Sequence, residues 1–290
     1  MAREENICAH LRSSLVSNFS VVLCVSVPLW FKATDEASSA MAIRGVLLDL
    51  DGVLYVGREA LPGATEALAR LRTAGLPLGF ITNTTRRSRR VIRADLAAMG
   101  LAIADDELFT PARAAREWIG AQGASPFLLI HPGLAEDFAG LPCGKDAVVV
   151  GDAGDGFTYA ALNEAFRLLI AGAPLLALAT NRYFRDADGL SLDAGPFMAA
   201  LEHASGTGAL LFGKPAPAFF RAALAGLGCR AEESVMIGDD VEADVNGAIA
   251  AGLGGILVRT GKYRPEDDTR IDPRGTVVDD VAAAVAFVFD

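Results

Sequence analysis

The chain has 290 residues, of which 52% are hydrophobic, and a formal net charge of −10 at pH 7. This length and apolar content are sufficient for a large core or two compact domains, which excludes an intrinsically disordered protein. The acidic balance excludes a typical nucleic-acid-binding protein, because such proteins use lysine and arginine to neutralise phosphates. The four cysteines form no Cys-x-x-Cys pair. A zinc site is therefore not expected, and the scarcity of cysteine favours a cytoplasmic location.

Residues 1–40 differ in character from the rest of the chain. Residues 21–31 are apolar, and the small residues 37–40 that follow resemble a signal-peptide cleavage region. The apolar stretch is interrupted by Ser26 and Pro28 and is too short to span a bilayer. We interpret residues 1–40 as an N-terminal extension outside the fold, arising from a misplaced start or serving as a targeting segment. We expect no membrane partner.

From residue 41 onward, short apolar runs alternate with amphipathic stretches. The runs typical of buried strands are residues 45–48, 76–81, 127–130, 147–150, 175–179, 209–212, 234–237 and 255–258. Helical periodicity separates several of them, as in residues 159–170 and 218–227. This alternation predicts an α/β fold with a Rossmann-like parallel sheet and helices on both faces. In such sheets ligands bind beyond the carboxyl ends of the strands.

Polar residues follow four of these predicted strands. The first strand runs into Asp49-Leu50-Asp51-Gly52, where two carboxylates at alternate positions of an extended segment can face one point. Two close carboxylates repel one another, and Mg²⁺, which prefers oxygen ligands, relieves that repulsion. The other three strand ends carry Thr82 and Asn83, then Lys214, and finally an acidic group of Asp239, Asp240 and Asp244.

Each of these signals is weak by itself, because Thr and Asn commonly cap helices and most lysines and acidic turns are simply solvated. Their occurrence in order, each after a separate predicted strand, favours one shared site. The pattern resembles the four motifs of the haloacid dehalogenase superfamily, and the likeness covers residues 41–290. Within it the chain resembles the NagD-like subgroup (class IIA). The runs 82–85, 165–169, 172–175, 236–240 and 259–264 are most similar to the phospholysine phosphohistidine inorganic pyrophosphate phosphatase branch.

This resemblance implies a magnesium-dependent phosphatase that hydrolyses a small phosphorylated metabolite. Asp49 would be the nucleophile that forms an aspartyl-phosphate, and Asp51 would be the general acid and base. The residues expected to bind the phosphoryl group are Thr82, Asn83 and Lys214. The expected Mg²⁺ ligands are Asp49, the backbone carbonyl of Asp51, and Asp239. The resemblance implies that Asp240 or Asp244 supports Lys214 or the metal site, with the choice between them open.

The resemblance also implies a division into domains. Residues 41–110 and 207–290 would form the catalytic core, and residues 111–206 an inserted α/β cap that covers the site and reads the rest of the substrate. The cap residues expected to do so are Tyr159, Asn181, Tyr183, Phe184 and Asp188. Relatives dimerise through the cap, which makes a homodimer a further expectation.

Two other functions remain open from the sequence. One is a phosphotransferase of the same superfamily, which would pass the phosphoryl group from Asp49 to an acceptor other than water. The other is a catalytically silent binding or regulatory protein with the same fold. The presence of Asp49, Asp51, Lys214 and Asp239 favours an enzyme over a silent protein.

Overall fold

The computed structural model describes residues 43–186 and 189–290. The strands in this range are β1 (Gly45–Asp49), β2 (Tyr55–Val56), β3 (Glu59–Ala60), β4 (Leu78–Ile81), β5 (Leu108–Phe109), β6 (Pro126–Leu129), β7 (Ala147–Val150), β8 (Leu175–Ala177), β9 (Tyr183–Asp186), β10 (Gly189–Leu192), β11 (Leu210–Leu211), β12 (Ser234–Gly238), β13 (Gly254–Val258) and β14 (Thr276–Val278). The N-terminal extension and Asp188 lie outside the described residues.

The helices are α1 (Ala64–Thr73), α2 (Arg89–Ala98), α3 (Pro111–Gln122), α4 (Tyr159–Ile170), α5 (Ala194–Ser205), α6 (Pro217–Leu227), α7 (Gly247–Ala250) and α8 (Val281–Val288). A π-helical segment, Val241–Asn246, leads directly into α7. Several helices begin at a residue whose side chain caps the first turn. For example, the Ser88 and Thr158 hydroxyls accept hydrogen bonds from the first turns of α2 and α4. No helix within residues 43–186 and 189–290 is long and apolar enough to cross a bilayer.

The larger sheet is parallel and has the strand order β14-β13-β12-β1-β4-β5. Its central strand β1 is wholly buried, since helices cover both faces of the sheet. Val46 and Leu48 point into a cluster with α1, α2 and α8, whereas Leu47 points into a second cluster with α6 and α7. The predicted α/β fold with helices on both faces is therefore confirmed.

A second parallel sheet has the order β11-β8-β7-β6, and all four of its strands lie in the chain between β5 and α6, together with α4 and α5. Helices α4 and α5 pack on one face of it, and α3 packs on the other. The antiparallel hairpin of β9 and β10 lies between β8 and α5. We call this sheet, α4, α5 and the hairpin the inserted unit. Strand β11, just before Lys214, pairs with β8 and so belongs to the inserted unit, not to the larger sheet.

Several short strands were not predicted from the sequence. Strands β5 and β14 form the two edges of the larger sheet and contain two and three residues. The β9–β10 hairpin was also missed, because Leu190 and Leu192 are exposed and the pattern lacks a buried run. The predicted division at residues 110/111 and 206/207 remains a prediction.

Candidate active site

The carboxyl ends of β1, β4, β12 and β13 lie at one edge of the larger sheet, because these strands are parallel. Asp49 is the last residue of β1, Thr82 directly follows β4, and Asp239 directly follows β12. This edge is where a parallel sheet is expected to bind its ligand. The sheet topology therefore gathers most of the predicted motifs, and Lys214 reaches them from β11.

Lys214 lies between two buried carboxylates. Its Nζ is 2.8 Å from Oδ1 of Asp49 and 2.6 Å from Oδ1 of Asp244. All three residues are at most 5% exposed. Burial alone lowers the pKa of the Lys214 ammonium, but the charges of Asp244 and Asp49 outweigh burial, so the pKa is raised. Lys214 is therefore a fixed positive charge beside the predicted nucleophile.

Asp239 completes a cluster of three carboxylates. One oxygen from each of Asp49, Asp239 and Asp244 lies within 4.8 Å of the others. Burial, followed by the charge of Asp49, raises the pKa of both Asp239 and Asp244. Oδ1 of Asp239 is buried and has no hydrogen-bond partner among the residues that the structure describes. Three carboxylates thus converge beside the Lys214 ammonium, and a hard divalent cation with oxygen ligands fits this donor set.

Asp51 occupies a different environment from Asp49. Asp51 is exposed, whereas Asp49 is buried. Partial desolvation by the surrounding protein, followed by the charge of Asp49, raises the pKa of Asp51. The positive charges of Lys262 and Arg87 offset part of this increase. An accessible carboxyl with a raised pKa is suited to proton transfer.

Thr82 and Asn83 have separate roles in the loop after β4. The Thr82 hydroxyl accepts a hydrogen bond from the Thr84 N–H at 3.2 Å, which leaves its own hydrogen for another acceptor. Oδ1 of Asn83 accepts from the Lys214 N–H at 2.8 Å, and Nδ2 donates to the Lys214 carbonyl at 2.8 Å. The Asn83 side chain is thus bonded to the Lys214 backbone.

The two remaining acidic residues also differ in their contacts. Asp244 contacts Lys214 directly and accepts a hydrogen bond from the Asp240 N–H at 3.2 Å. Oδ1 of Asp240 accepts from the N–H groups of Glu242 and Ala243 and so caps the π-helical segment. Asp244 is therefore the member of this pair that contacts Lys214, a point that the sequence had left open.

A segment after β13 was missed as part of the site. The Lys262 N–H donates to Oδ2 of Asp239 at 2.7 Å, and the Thr260 hydroxyl donates to the Gly52 carbonyl. We call residues 260–262 the strap. A Cβ on Gly52 or Gly261 would lie about 2 Å from Oδ2 of Asp239, so both positions need glycine for this close approach. The strap begins two residues after β13. It could have been found from the sequence, because ligands bind beyond the carboxyl ends of parallel strands.

The predicted cap residues are only partly connected to this site. The Arg86 guanidinium lies 4.2 Å above the Phe184 ring and also pairs with Asp152. The Asp152 N–H donates to the Thr85 hydroxyl at 3.1 Å. Phe184 therefore touches the loop that follows Asn83. The other described cap residues are exposed, namely Tyr159, Asn181 and Tyr183.

Comparisons with known proteins agree with this geometry. The profile of the family "Haloacid dehalogenase-like hydrolase" matches residues 46–142, and a HAD-hydrolase-like profile matches residues 211–284. The human haloacid dehalogenase-like hydrolase domain-containing protein 2 is 46% identical over 237 residues, which are 81% of this chain and 92% of that protein. The chain belongs to the haloacid dehalogenase-like hydrolase family. Human phospholysine phosphohistidine inorganic pyrophosphate phosphatase is 41% identical over 251 residues, covering 84% of this chain and 93% of that protein.

Solved structures of this family share the fold. NagD from Escherichia coli superposes with a TM-score of 0.75 at 28% identity, covering 83% of this chain and 98% of that one. A glycerol phosphate phosphatase from Mycobacterium tuberculosis, solved with magnesium, gives a TM-score of 0.73 at 30% identity, with coverage of 82% and 76%. The predicted superfamily and its NagD-like subgroup are confirmed. The chain is an enzyme of the haloacid dehalogenase phosphatase type.

Proposed function

We propose that the protein is a magnesium-dependent phosphatase that hydrolyses a small phosphorylated metabolite through an aspartyl-phosphate on Asp49. One observation carries this proposal. Asp49, at the end of β1, shares its buried site with a lysine and with two further carboxylates. One of these, Asp239, has an oxygen with no hydrogen-bond partner in the described part of the chain. The lysine suits a phosphoryl group, and the carboxylates suit a divalent cation.

The metal ligands in this proposal are the carboxylates of Asp49 and Asp239 and the backbone carbonyl of Asp51. The unpartnered Oδ1 of Asp239 supports it, and so does the magnesium bound to the glycerol phosphate phosphatase. When bound, Mg²⁺ supplies positive charge that offsets the repulsion between an anionic nucleophile and an anionic phosphate. The strap holds the other oxygen of Asp239 and so orients its carboxylate.

The reaction then has two halves that share one proton carrier. A carboxylate oxygen of Asp49 attacks phosphorus, the bond from phosphorus to the ester oxygen breaks, and Asp51 gives its proton to that leaving oxygen. In the second half, Asp51 takes a proton from a water that attacks phosphorus. The bond from phosphorus to Asp49 breaks, which releases inorganic phosphate and regenerates both carboxyl groups.

The phosphoryl oxygens are held by groups already fixed by the fold. The Lys214 ammonium is buried beside Asp49, and the Thr82 hydroxyl retains a hydrogen to donate. Donors placed before the reaction stabilise the developing charge without reorganising. The backbone around Asn83 completes the proposed phosphate-binding loop.

The proposed cap, residues 111–206, contains all of the inserted unit except β11, and it would read the part of the substrate beyond phosphorus. The Phe184–Arg86 contact supports this role because it places the hairpin next to the phosphate-binding loop. The exposed Tyr183 ring lies on the same hairpin and is available to a substrate. The homodimer through the cap and the cytoplasmic location remain predictions, and light scattering and cell fractionation would test them.

An assay of the purified protein tests the proposal against its alternatives. We expect hydrolysis of 4-nitrophenyl phosphate and of some members of a panel of phosphorylated metabolites, with Mg²⁺ and without an added acceptor. Excess chelator should abolish it. Turnover only with an added acceptor would establish a phosphotransferase instead. Mg²⁺-independent turnover, or none with any substrate, would overturn the proposal.

A further inference from the structure

The side chain of Asn83 is bonded to a residue that lies 131 positions further along the chain. Its Oδ1 accepts the Lys214 N–H, and its Nδ2 donates to the Lys214 carbonyl, each at 2.8 Å. Both backbone polar groups of Lys214 are therefore bonded to one side chain. A pair of hydrogen bonds of this kind fixes a segment in position and orientation, as a neighbouring strand would.

Lys214 needs such a support because of where its segment lies. The preceding strand β11 pairs with β8 in the inserted unit, whereas the following helix α6 packs against the larger sheet through Phe219 and Phe220. The segment that carries Lys214 thus crosses between the two sheets. Its backbone bonds to Asn83 tie that crossing to the loop after β4.

The local packing is adapted to these bonds. A Cβ on Gly213 would lie 2.7 Å from Oδ1 of Asn83 and 2.7 Å from the Leu178 carbonyl, so only glycine allows the segment to approach Asn83 so closely. The Lys214 ammonium has correspondingly little freedom, because it contacts Asp49 at 2.8 Å and Asp244 at 2.6 Å. A shift of the Lys214 backbone would move the ammonium away from at least one of them.

We propose that Asn83 is a positioning residue that sets the place of the Lys214 ammonium beside Asp49 by holding the Lys214 backbone. Its side chain acts through Lys214 and not on the substrate. This inference rests on the phosphatase function proposed above. It assigns a separate task to the Asn83 side chain, whereas the backbone around Asn83 remains part of the proposed phosphate-binding loop.

A double-mutant cycle tests this assignment. The variants are Asn83→Ala, Lys214→Ala and the double variant, and kcat and KM are measured with 4-nitrophenyl phosphate. We expect Asn83→Ala to lower kcat by about 10- to 100-fold, the effect of misplacing a catalytic group by about 1 Å. Once the ammonium is gone, its position no longer matters. The double variant should therefore lie within about 2-fold of Lys214→Ala.

The chain offers a matched control in Asn246. Its Oδ1 accepts the Asp272 N–H at 2.8 Å and its Nδ2 donates to the Arg270 carbonyl at 3.0 Å, so it bridges two backbone groups as Asn83 does. Asn246→Ala should lower Tm by a similar amount and leave kcat within about 2-fold of wild type. A loss of kcat in Asn83→Ala alone then reports positioning and not general destabilisation.

Hydrogen exchange gives a readout that does not depend on activity. Asn83→Ala should accelerate amide exchange in residues 213–216, whereas Asn246→Ala should not. Asn83→Asp is the second variant, because it keeps the acceptor for the Lys214 N–H and replaces the donor to the Lys214 carbonyl with an acceptor. If Asn83→Ala folds poorly, Asn83→Asp takes its place in both measurements. We expect it to show the same loss of kcat and the same faster exchange in residues 213–216.

The outcomes separate this inference from the function on which it rests. The role of Asn83 would be overturned if the kcat of the double variant fell by the product of the two single losses. Unchanged exchange in residues 213–216 would also overturn it. Either result would leave an active phosphatase. An inactive wild-type protein would instead refute the proposed function. In that case hydrogen exchange still decides whether Asn83 holds Lys214, and unchanged exchange would refute the inference.

Discussion

Replacing Gly261 with alanine probes how the strap shapes the proposed metal site. The added Cβ would lie 2.1 Å from Oδ2 of Asp239 and 2.5 Å from Cα of Gly52. Gly261 also has a φ of +62°, a conformation that alanine rarely adopts. The substitution therefore strains the backbone and also displaces Asp239 or the strap.

The size of the effect follows from these distances. Cβ contacts below 3.0 Å are essentially never seen, so Asp239 or its neighbours must shift by about 1 Å. Metal–ligand distances tolerate only about 0.2 Å of change. Disturbing a group that holds a metal ligand typically weakens metal affinity by about 10- to 100-fold. We expect the dissociation constant for Mg²⁺ to increase by that factor in Gly261→Ala.

Gly123→Ala is the control for backbone strain alone. Gly123 has a φ of +63° at the end of α3, and a Cβ there would meet no atom of residues 43–186 and 189–290 within 4 Å. Both variants should lose about 1–2 kcal/mol of stability from the left-handed conformation, but only Gly261→Ala should lose Mg²⁺ affinity. Titration calorimetry with Mg²⁺ and thermal unfolding measure the two effects. Equal Mg²⁺ affinities in the two variants would refute the proposed role of the strap.

Four further outcomes test the proposed chemistry. Asp49→Asn should abolish turnover and the acid-stable phosphorylated protein in a rapid quench; full activity would exclude the covalent mechanism. Asp51→Asn should lower kcat by about 10²-fold, with a smaller loss for substrates whose leaving group needs no proton. Burial, followed by the charge of Asp49, raises the pKa of Asp239, so protons compete with Mg²⁺ and calorimetry should show weaker binding at about pH 6 than at about pH 8. Tyr183→Ala should alter the preference among substrates more than Mg²⁺ affinity; equal losses on all substrates would argue against a specificity role.

The central strands could be predicted from the sequence because a strand buried on both faces has apolar residues at successive positions. Residues 45–48, 147–150 and 235–237 are runs without charged or polar side chains, and each coincides with an observed strand or lies within one. The two-residue strand β5 carries too few residues for any periodicity. Strand β11 was expected from its apolar run, but the run alone could not reveal that its partner is β8.

The proximity of the predicted site residues could be foreseen for a similar reason. Parallel strands end at one edge, so the residues at or directly after the carboxyl ends of β1, β4 and β12 had to meet there. The sequence could not reveal which of two acidic residues four positions apart contacts Lys214. That choice depends on the π-helical segment, in which Asp240 turns its carboxylate to cap the first turn and Asp244 turns inward. The bond between Asn83 and Lys214 was equally hidden, because it joins residues 131 positions apart.

The charges of the site explain how an acidic protein can accept a phosphate. The ammonium groups of Lys214 and Lys262 do not balance the three carboxylates of Asp49, Asp239 and Asp244. Burial makes the remaining negative charge costly and raises the pKa of Asp239. A phosphate brought to this cluster without a cation would meet net repulsion. A bound divalent cation would offset that repulsion and would also reduce the repulsion among the carboxylates themselves. Bound by Asp49 and Asp239, such an ion would let this acidic site accept an anionic substrate.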